Sequence, residues 1–463
     1  MSVTIDEHKA KEFSASLRGQ VILPGDSEYD AARKIWNGMI DKHPAVIAQC
    51  ADVRDVMTAV AFARENGLPA SVRGGGHNIA GNALVDDGVV IDLSLMKHVH
   101  VDPLARVARA GGGVTWGEFD RATQEFDLAT TGGLISTTGI GGFTLGGGMG
   151  WLERKHGLTC DSLIAADVVT ADSRFLRASA DENPDLFWAL RGGGGNFGVV
   201  TEFTYKVHPV GPTILGGMLV WPLSEAKRLL QFYREYTADL PEELTTMTAL
   251  VTAPPAPFIP LEFQGKPCIA VAGCYAGSME DGQRAIAPLR EFSPPAVDLF
   301  GEMPYVALQS MLDAMHLDGH RNYWKSDYMD ALDDEAISVL VEGFANVPSP
   351  MTHVDIHDLG GAIRSVGEDD TAFSHRDARY VYNIVTAWTD PADDERNITW
   401  TKDMWSALLP YSRGATYVNF MGSEGEERVK ASYGPKYQRL AEIKREYDPT
   451  NFFRLNQNIK PAE

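Results

Sequence analysis

Three titratable side chains alternate within a short run of the sequence. His353, Asp355 and His357 are separated by Val354 and Ile356, which is the pattern of a β-strand. Because successive side chains of a strand point to opposite faces, we expect the three polar groups on one face and the two apolar ones on the other. Imidazole and carboxylate groups held together can exchange protons with a substrate. The same alternation could ligate a metal ion, but one strand rarely closes a metal site, so no metal is expected.

A second strand with functional groups is predicted over residues 416–421. It would place Tyr417 and Asn419 on one face, because they are two positions apart. A tyrosine can accept a proton if a neighbour lowers its pKa, and an amide can orient a hydroxyl or an amine. With the three residues above, these two complete the candidate catalytic set, in which Asp355 and Tyr417 are the preferred bases. A further strand over 379–388 offers Tyr380, Tyr382 and Thr386 on one face as pocket candidates.

Glycine is concentrated in the first two hundred residues of a chain that contains 45 glycines. Glycine turns let the backbone approach a flat ring closely, and their N–H groups can converge on a phosphate. Four unrelated tight turns would give the same composition. His77 directly follows the first cluster and is a candidate for contact with whatever the turns hold. The four clusters lie at residues 74–76, 111–113, 132–150 and 192–198.

The fourth cluster contains the one match to G-x-G-x-x-G, over residues 193–198. In a dinucleotide-binding βαβ unit this motif opens a helix whose N-terminus meets the pyrophosphate. Here a β-rich run over residues 199–207 follows instead, and no Walker A pattern is present. We therefore expect a phosphate-bearing cofactor that is held by several glycine turns together.

The elements that position these turns can also be read from the sequence. Asp52 caps a helix over 52–66, and a strand over 70–73 leads directly into the first glycine cluster. Thr115 and Glu118 have the spacing of a capping box for the next helix. Further helices are predicted over 115–126, 184–190, 224–240, 281–292, 334–345 and 435–447, and further strands over 89–93, 106–110, 168–170 and 199–207.

Charge and cysteine content narrow the function classes. The 463 residues include 41 Lys and Arg and 63 Asp and Glu, a net charge of −22 that argues against binding nucleic acid or anionic membranes. The four cysteines form no C-x-x-C pair, which disfavours zinc or thioredoxin-type chemistry. Residues 1–20 lack the apolar core of a signal peptide, and no run of eighteen apolar residues exists. These features predict a cytoplasmic location and no membrane attachment.

Taken together, the motifs resemble those of the FAD-linked oxidases of the vanillyl-alcohol-oxidase superfamily. They are most similar to the berberine-bridge-enzyme-like branch, which includes bacterial 6-hydroxynicotine oxidases and sugar oxidases. The resemblance extends over essentially the whole chain in the order of that family. The matching motifs are RGGGHN at 73–78, GIGGFTLGGG at 139–148, NFGVV at 196–200, YDP at 447–449 and NQN at 456–458.

The resemblance implies an α+β fold with two domains of the PCMH-type FAD-binding architecture. The FAD-binding domain would comprise residues 1–210, and residues 422–463 would return to it. Residues 211–421 would form the substrate domain, a mixed antiparallel sheet that is covered by helices on its outer face and that has the flavin ring under its inner face.

The resemblance also assigns the cofactor. In this family the histidine after the first glycine cluster, here His77, is bonded to the 8α-methyl of the flavin. Many members add a bond from a cysteine to the flavin, but Ile135 occupies that position here, so no cysteinyl link is expected. The residues expected to bind FAD are Arg73, Gly74, Gly75, Gly76, His77, Asn78, Gly81, Gly132, Ser136, Thr137, Gly139, Gly142, Phe143, Gly146, Gly147, Gly148, Asp161, Val168, Gly195, Asn196, Phe197, Gly198, Val199, Asn456 and Asn458.

The function implied is an FAD-dependent oxidase that removes hydride from a C–H next to oxygen or nitrogen of a small-molecule substrate. O2 would reoxidise the flavin and give H2O2. The alternative is a flavin-containing tailoring enzyme or carrier without oxidase turnover. We expect a monomer or a homodimer.

Overall fold

The computed structural model describes residues 5–463. Its N-terminal part contains α1 (Glu7–Ser16), β1 (Gln20–Ile22), α2 (Tyr29–Ala32), β2 (Val46–Gln49), α3 (Val53–Glu65), β3 (Ala70–Arg73) and β4 (Val89–Asp92). The strands form one sheet in the order β1-β2-β4-β3, in which β2, β4 and β3 are parallel. α3 begins where the sequence predicts, because the Asp52 carboxylate accepts hydrogen bonds from the N–H groups of Arg54 and Asp55. β3 ends at the first glycine cluster.

The second sheet is antiparallel, in the order β5-β6-β10-β8-β9. β10 starts directly after the fourth glycine cluster, which confirms that this cluster does not open a helix. The large apolar side chains of this part pack in one core around Trp116, Phe119 and Phe203. The elements of this second part of the chain are β5 (Val99–Asp102), β6 (Val107–Gly111), α4 (Trp116–Gln124), β7 (Leu128–Ala129), α5 (Ile140–Leu145), α6 (Glu153–His156), β8 (Leu163–Val169), β9 (Phe175–Ser179), α7 (Pro184–Leu190), β10 (Val199–Lys206) and β11 (His208–Pro209).

The third sheet is also antiparallel, in the order β15-β12-β14-β13-β18-β19-β17, with β16 paired to β12. Helices pack on one of its faces, and the opposite face remains available for a site. The elements are β12 (Thr213–Pro222), α8 (Ala226–Tyr236), β13 (Leu244–Thr252), β14 (Pro267–Tyr275), α9 (Met279–Phe292), β15 (Val297–Asp298), β16 (Gly301–Pro304), α10 (Tyr305–Gln309), β17 (Arg321–Met329), α11 (Asp334–Phe344), β18 (His353–Asp358), α12 (Ala362–Ser365), β19 (Tyr380–Trp388) and α13 (Asp394–Leu408). The fold is therefore α+β.

The C-terminal segment contains α14 (Glu426–Tyr433) and α15 (Tyr437–Tyr447) and packs against the fourth glycine cluster. The ammonium group of Lys444 is fully buried and donates hydrogen bonds to Asn196 O at 2.6 Å and to the carboxylate of Asp448 at 2.7 Å. Asn456 Nδ2 donates to Gly195 O at 3.0 Å. These bonds fix the last residues of the chain beside the glycine turn. Among residues 5–463, no helix combines the length and the apolarity needed to span a bilayer.

The strand predicted over residues 416–421 is wrong. Tyr417 precedes a short 3-10 turn, Val418–Phe420. The incoming chain bonds to β17 at a single residue, where Arg413 N–H donates to Tyr328 O and Tyr328 N–H donates to Ala415 O. With no neighbouring strand to continue along, the chain turns.

The predicted strand over 379–388 is confirmed as β19, but its pocket face is the opposite one. Tyr380 and Tyr382 are buried in the core under the helices, together with Ile384. Asn383 and Val385 point to the other face instead. The rings of the two tyrosines fill space between the sheet and the helices, so their polar hydroxyl groups were a misleading sign of a pocket. Thr386 lies on the same helix-covered face, where its hydroxyl is hydrogen-bonded to Thr401 of α13.

Candidate active site

A cavity of about 520 Å³ lies between the glycine clusters and the inner face of the third sheet. One wall, here called the glycine wall, is made by residues of the clusters and by the C-terminal segment. The opposite wall, the sheet wall, is made by side chains of β12, β13, β14, β17, β18 and β19. Within residues 5–463, no Lys, Arg or Glu side chain lines this cavity.

At its glycines, the glycine wall presents backbone rather than side chains. None of the N–H groups of residues 74–78 donates a hydrogen bond to another group within the described part of the chain. Such a run of free amides at the end of β3 can bind an anion without a lysine or an arginine. The predicted cofactor residues that line the cavity are Gly74, Gly75, Gly76, His77, Asn78, Gly139, Gly142, Phe143, Gly195, Gly198 and Asn456.

Several glycines serve the packing of the wall itself. A Cβ on Gly75 would lie 2.3 Å from the backbone N of Gly139, so these two turns touch backbone to backbone. A Cβ on Gly146 would lie 2.1 Å from Oδ1 of Asn419. These contacts require glycine whether or not a ligand is present.

The remaining predicted cofactor residues do not line the cavity, and their assignment to FAD stays a prediction. Arg73 is paired with Asp92 at 2.6 Å, and Asp161 is paired with the buried Arg376 at 3.0 Å. These ion pairs stabilise the turns from within the protein. The predicted cofactor residues that do not line the cavity are Arg73, Gly81, Gly132, Ser136, Thr137, Gly146, Gly147, Gly148, Asp161, Val168, Asn196, Phe197, Val199 and Asn458.

His77 stands at the edge of the glycine wall. Its Nε2 is 3.0 Å from Oγ1 of Thr137, and its Nδ1 is 3.4 Å from Oγ1 of Thr138. Its ring stacks on Trp36 with the centroids 5.2 Å apart. Burial lowers the pKa of His77 to about 4. The imidazole is therefore neutral at pH 7, the state in which its nitrogen carries a free electron pair.

Ile135 lines the same cavity, at the position that the resemblance would give to a cysteine. None of the four cysteines lines the cavity, and all four are buried thiols. Burial strongly raises the pKa of Cys160, whose Sγ is 3.7 Å from Oδ1 of Asp161. A buried, protonated thiol is a poor nucleophile.

The sheet wall carries the polar residues of β18. His353, Asp355 and His357 all line the cavity, whereas Val354 and Ile356 lie in the core under the helices, as the alternation predicts. Nε2 of His353 is 3.4 Å from Oδ2 of Asp355.

Three polar atoms of this wall are buried without a partner. Asp355 Oδ1, His353 Nδ1 and the neighbouring Asn383 Oδ1 make no hydrogen bond within residues 5–463. Asn383 lies directly beside Asp355 in the register of β18 and β19. Unpartnered buried polar atoms are costly, so their grouping on a cavity wall marks a place for a polar ligand group.

The electrostatics of the sheet wall centre on Asp355. Burial alone would raise its pKa, but the charge and hydrogen bond of His353, with His357 and His316, hold the pKa below the ordinary value. Burial, followed by the charge of His353, lowers the pKa of His316 to about 3. Burial also lowers the pKa of His357. At pH 7 a carboxylate therefore faces neutral imidazoles at positions 316 and 357.

Tyr417 and Asn419 line the cavity but meet in a different way from that predicted. Asn419 Nδ2 donates to Tyr417 Oη at 2.7 Å and to Phe143 O at 3.0 Å, and Gly148 N–H donates to Tyr417 Oη at 2.7 Å. Burial raises the pKa of Tyr417 well above its usual range. A phenol in this state is a poor base at neutral pH, which favours Asp355 for that role.

Sequence reasoning missed the aromatic side chains near His77. Trp36 and Trp324 meet edge to face at 5.7 Å, and His316 meets His353 edge to face at 5.0 Å. They come from distant parts of the chain, and no local spacing connects them. Among residues 5–463, no group of three or more His, Cys, Asp and Glu side chains is arranged to hold a metal ion.

Comparison with known proteins identifies the family. The model "FAD binding domain" matches residues 44–179, and the model "Berberine and berberine like" matches residues 416–460. An FAD-linked oxidoreductase of Dictyostelium discoideum is 33% identical over 459 residues, covering 98% of this chain and 97% of that protein. The chain belongs to the FAD-linked oxidoreductases.

Other relatives of this FAD-linked oxidoreductase support the same family assignment. The (R)-6-hydroxynicotine oxidase of Paenarthrobacter nicotinovorans is 33% identical over 459 residues, covering 96% of this chain and 97% of that one. The crystal structure of 6-hydroxy-D-nicotine oxidase from Arthrobacter nicotinovorans has a TM-score of 0.87 at 31% identity, covering 96% and 99% of the two chains. Physcomitrella patens BBE-like 1 shares the fold, with a TM-score of 0.88 at 24% identity over 98% and 99% of the chains. The PCMH-type fold and an FAD-dependent oxidoreductase activity, both predicted, are confirmed.

The glycine wall fits FAD on its own geometry. A Cβ added to Gly142 or Gly195 would meet no protein atom within 4 Å, although both residues line the cavity. The wall therefore leaves open space at these two positions. Asn456 Oδ1 is buried there without a partner within the described chain. Open space, free amides in residues 74–78 and an unpartnered amide oxygen suit a flat ring system that carries a diphosphate.

Proposed function

We propose that this oxidoreductase carries FAD bonded through its 8α position to His77, with no second bond to a cysteine. It oxidises a small molecule at a C–H next to oxygen or nitrogen and uses O2 as the electron acceptor. Bound FAD would supply the hydride acceptor and pass the two electrons to O2, giving H2O2.

The neutral imidazole of His77 supports the covalent bond. A nitrogen with a free electron pair can act as the nucleophile, and the hydroxyl of Thr137 holds the ring at 3.0 Å. Ile135 has no group that can form a thioether. Cys160, the thiol nearest to it downstream, is buried away from the cavity.

The carboxylate of Asp355 supports the oxidation chemistry. As the C–H bond of an alcohol loses a hydride, the proton of its O–H must also leave. A neutral amine forms an iminium cation without losing a proton, so an amine needs a base only where it binds as the ammonium ion. Asp355 Oδ1 is unpartnered within residues 5–463 and lines the cavity, so it can accept that proton. The adjacent imidazole of His353, whose Nε2 is 3.4 Å from Oδ2 of Asp355, orients the carboxylate.

The single observation that carries the proposal is the opposition of the two walls. One cavity joins free backbone amides and a neutral histidine on one side to a buried carboxylate on the other.

The first experiment tests the linkage. Acid precipitation of the purified protein should leave the flavin in the pellet, and peptide mapping should find it on the His77 peptide and on no cysteine peptide. His77→Ala should release all flavin to the supernatant, whereas His100→Ala, the control at an exposed histidine that does not line the cavity, should retain it. Flavin released by the wild type, or found on a Cys160 peptide, would overturn the linkage.

A second experiment tests the reaction. A panel of alcohols and amines is screened for bleaching of the flavin absorbance without oxygen, and each active compound is then tested for H2O2 formation in air. Stoichiometric H2O2 supports an oxidase. Bleaching without H2O2 on admission of air would favour the tailoring alternative.

A further inference from the structure

The sheet wall is divided into two halves along the line between β13 and β18. On β17, β18 and β19 it presents polar and aromatic groups, which include Asp355, Asn383 and Trp324. On β12, β13 and β14 every side chain that lines the cavity, apart from Thr252 at the end of β13, is apolar. The polar half was assigned above to the reacting group, and the apolar half has no role in that account.

A continuous row of residues crosses the line. Strand register places Asp355 beside Ala249, Ala249 beside Ala270, and Ala270 beside Val220. Since neighbouring strands are about 4.8 Å apart, the row extends about 14 Å from the carboxylate. The two alanines in the middle leave a shallow trough, which is bordered along the strands by Met247 and Val251.

The trough leads to an apolar mouth. Phe258 follows the end of β13 and Leu299 bonds to Met218 of β12, and both line the cavity with exposed fractions of 54% and 37%. Large apolar side chains that remain exposed around a cavity entrance are a common mark of a ligand-binding groove. A second, independent mark stands at the inner end of the row, where Asp355 Oδ1 and Asn383 Oδ1 are buried without partners in the described chain.

We propose that the substrate is amphipathic: a neutral or cationic head with one hydroxyl or amine lies at Asp355, and an unbranched or flat hydrocarbon body lies along the trough from Ala249 and Ala270 to Phe258. This inference rests on the proposed function, since it names the class of substrate that the same site takes. Sugars, with hydroxyls on every side, would leave polar groups unpaired against the alanines. Carboxylates and phosphates would meet Asp355 with no lysine or arginine on the described walls.

The holoenzyme is titrated without oxygen with two probe series, n-alkylamines and n-alkan-1-ols of three to nine carbons. The dissociation constant comes from the change in flavin absorbance, or from the concentration dependence of the reduction rate where a probe is oxidised. Each added methylene should tighten binding about fourfold, the effect of burying one CH2 group. A dissociation constant independent of chain length in both series would overturn the inference.

Variants locate the effect. Ala270→Leu fills the middle of the trough and should abolish the gain beyond the first few carbons, whereas Ala392→Leu, at an exposed position, should keep the wild-type slope. Because Ala270→Leu could fail to fold, Phe258→Ser at the exposed mouth is a second test, with loss of the gain for the longest probes alone. A wild-type slope in both Ala270→Leu and Phe258→Ser would overturn the inference.

The two proposals fail in different ways. Reduction of the flavin by glucose or xylobiose, with no dependence on alkyl chain length, would overturn the amphipathic substrate and leave the oxidase standing. If binding depends on chain length but the flavin is not linked to His77, or no H2O2 forms in air, the proposed function is overturned and the amphipathic substrate stands.

Discussion

The two walls of the cavity are built from different parts of the polypeptide. The glycine wall offers backbone amides and empty space, and its residue types are set largely by what a Cβ would strike. The sheet wall offers side chains on a regular frame, where Asp355 and Ala249 are neighbours in register yet differ in charge and size. A binding surface made of backbone holds one ligand shape, whereas a side-chain surface can be changed at one position without moving the chain. Under the proposed function, we therefore assign the cofactor to the first wall and the choice of substrate to the second.

The largest expected effect on the reaction comes from the sheet wall. Asp355→Asn keeps the shape of the side chain but removes the proton acceptor, so anaerobic flavin reduction by an alcohol substrate should slow by about 100- to 10,000-fold. Asp318→Asn, an exposed position in the same region, should behave as wild type. A loss of less than tenfold would contradict the assignment of the base to Asp355.

The pH profile sharpens the same prediction. The pKa of Asp355 is held below the ordinary value of about 3.9, so the reactive carboxylate persists at neutral and mildly acidic pH. The rate of flavin reduction should therefore fall only as the pH approaches that lowered pKa. The ionised carboxylate also stabilises the fold: this contribution is complete above the ordinary pKa of an aspartate and is lost as the pH falls through the lowered pKa. Asp355→Asn should lack this acidic limb. A wild-type rate that falls already near pH 6 would assign the titration to another group.

The glycine wall is tested by Gly75→Ala. The added Cβ would lie 2.3 Å from the backbone N of Gly139. Because this contact is with backbone rather than with a flexible side chain, relieving it would require one of the two turns to move. We expect a loss of about 1–3 kcal/mol in the free energy of unfolding, measured by urea denaturation, together with lower flavin content. Gly301→Ala, where no atom lies within 4 Å of the new Cβ, is the control. Equal stability of the two variants would show that the turns do not touch as described.

Gly142→Ala separates packing from ligand binding on the same wall. Its Cβ would enter open space within α5, so the fold should be unchanged or stabilised by about 0.5–1 kcal/mol. The flavin-to-protein absorbance ratio should nevertheless fall, because the methyl group occupies cofactor space. Undiminished flavin content would place the cofactor away from Gly142.

The sequence predicted these walls unequally well. The β18 alternation of Asp355 with Val354 was informative because a two-residue period directly gives the face of a strand. The same reasoning failed at Tyr417, where the backbone of the chain pairs with β17 at a single residue and then turns, a tertiary event without a local signature. It also assigned the wrong face to Tyr382, since a tyrosine suits either a core or a pocket.

The cofactor motifs told which turns gather at the cavity, but not which of their residues line it. Arg73 and Asp161 belong to the motif region, yet they form ion pairs with Asp92 and Arg376 and do not line the cavity. Trp36 was missed altogether, because its neighbours His77 and Trp324 lie far along the chain. Spacing along a sequence reports local geometry, and contacts between distant segments are fixed only by the packed fold.

The smallest expected effect on the reaction comes from Tyr417, where the two walls meet. Its Oη already accepts hydrogen bonds from Gly148 N–H and Asn419 Nδ2, and burial raises its pKa, so it is not available as a base at neutral pH. Tyr417→Phe should therefore leave anaerobic flavin reduction within tenfold of wild type. It should lower the free energy of unfolding by about 1–3 kcal/mol, because the buried amide of Gly148 loses its acceptor. Tyr382→Phe, a buried tyrosine on the helix side of the sheet, is the matched control. Reduction slowed more than 100-fold in Tyr417→Phe, with flavin content intact, would return Tyr417 to the catalytic set and weaken the case for Asp355 as the proton acceptor.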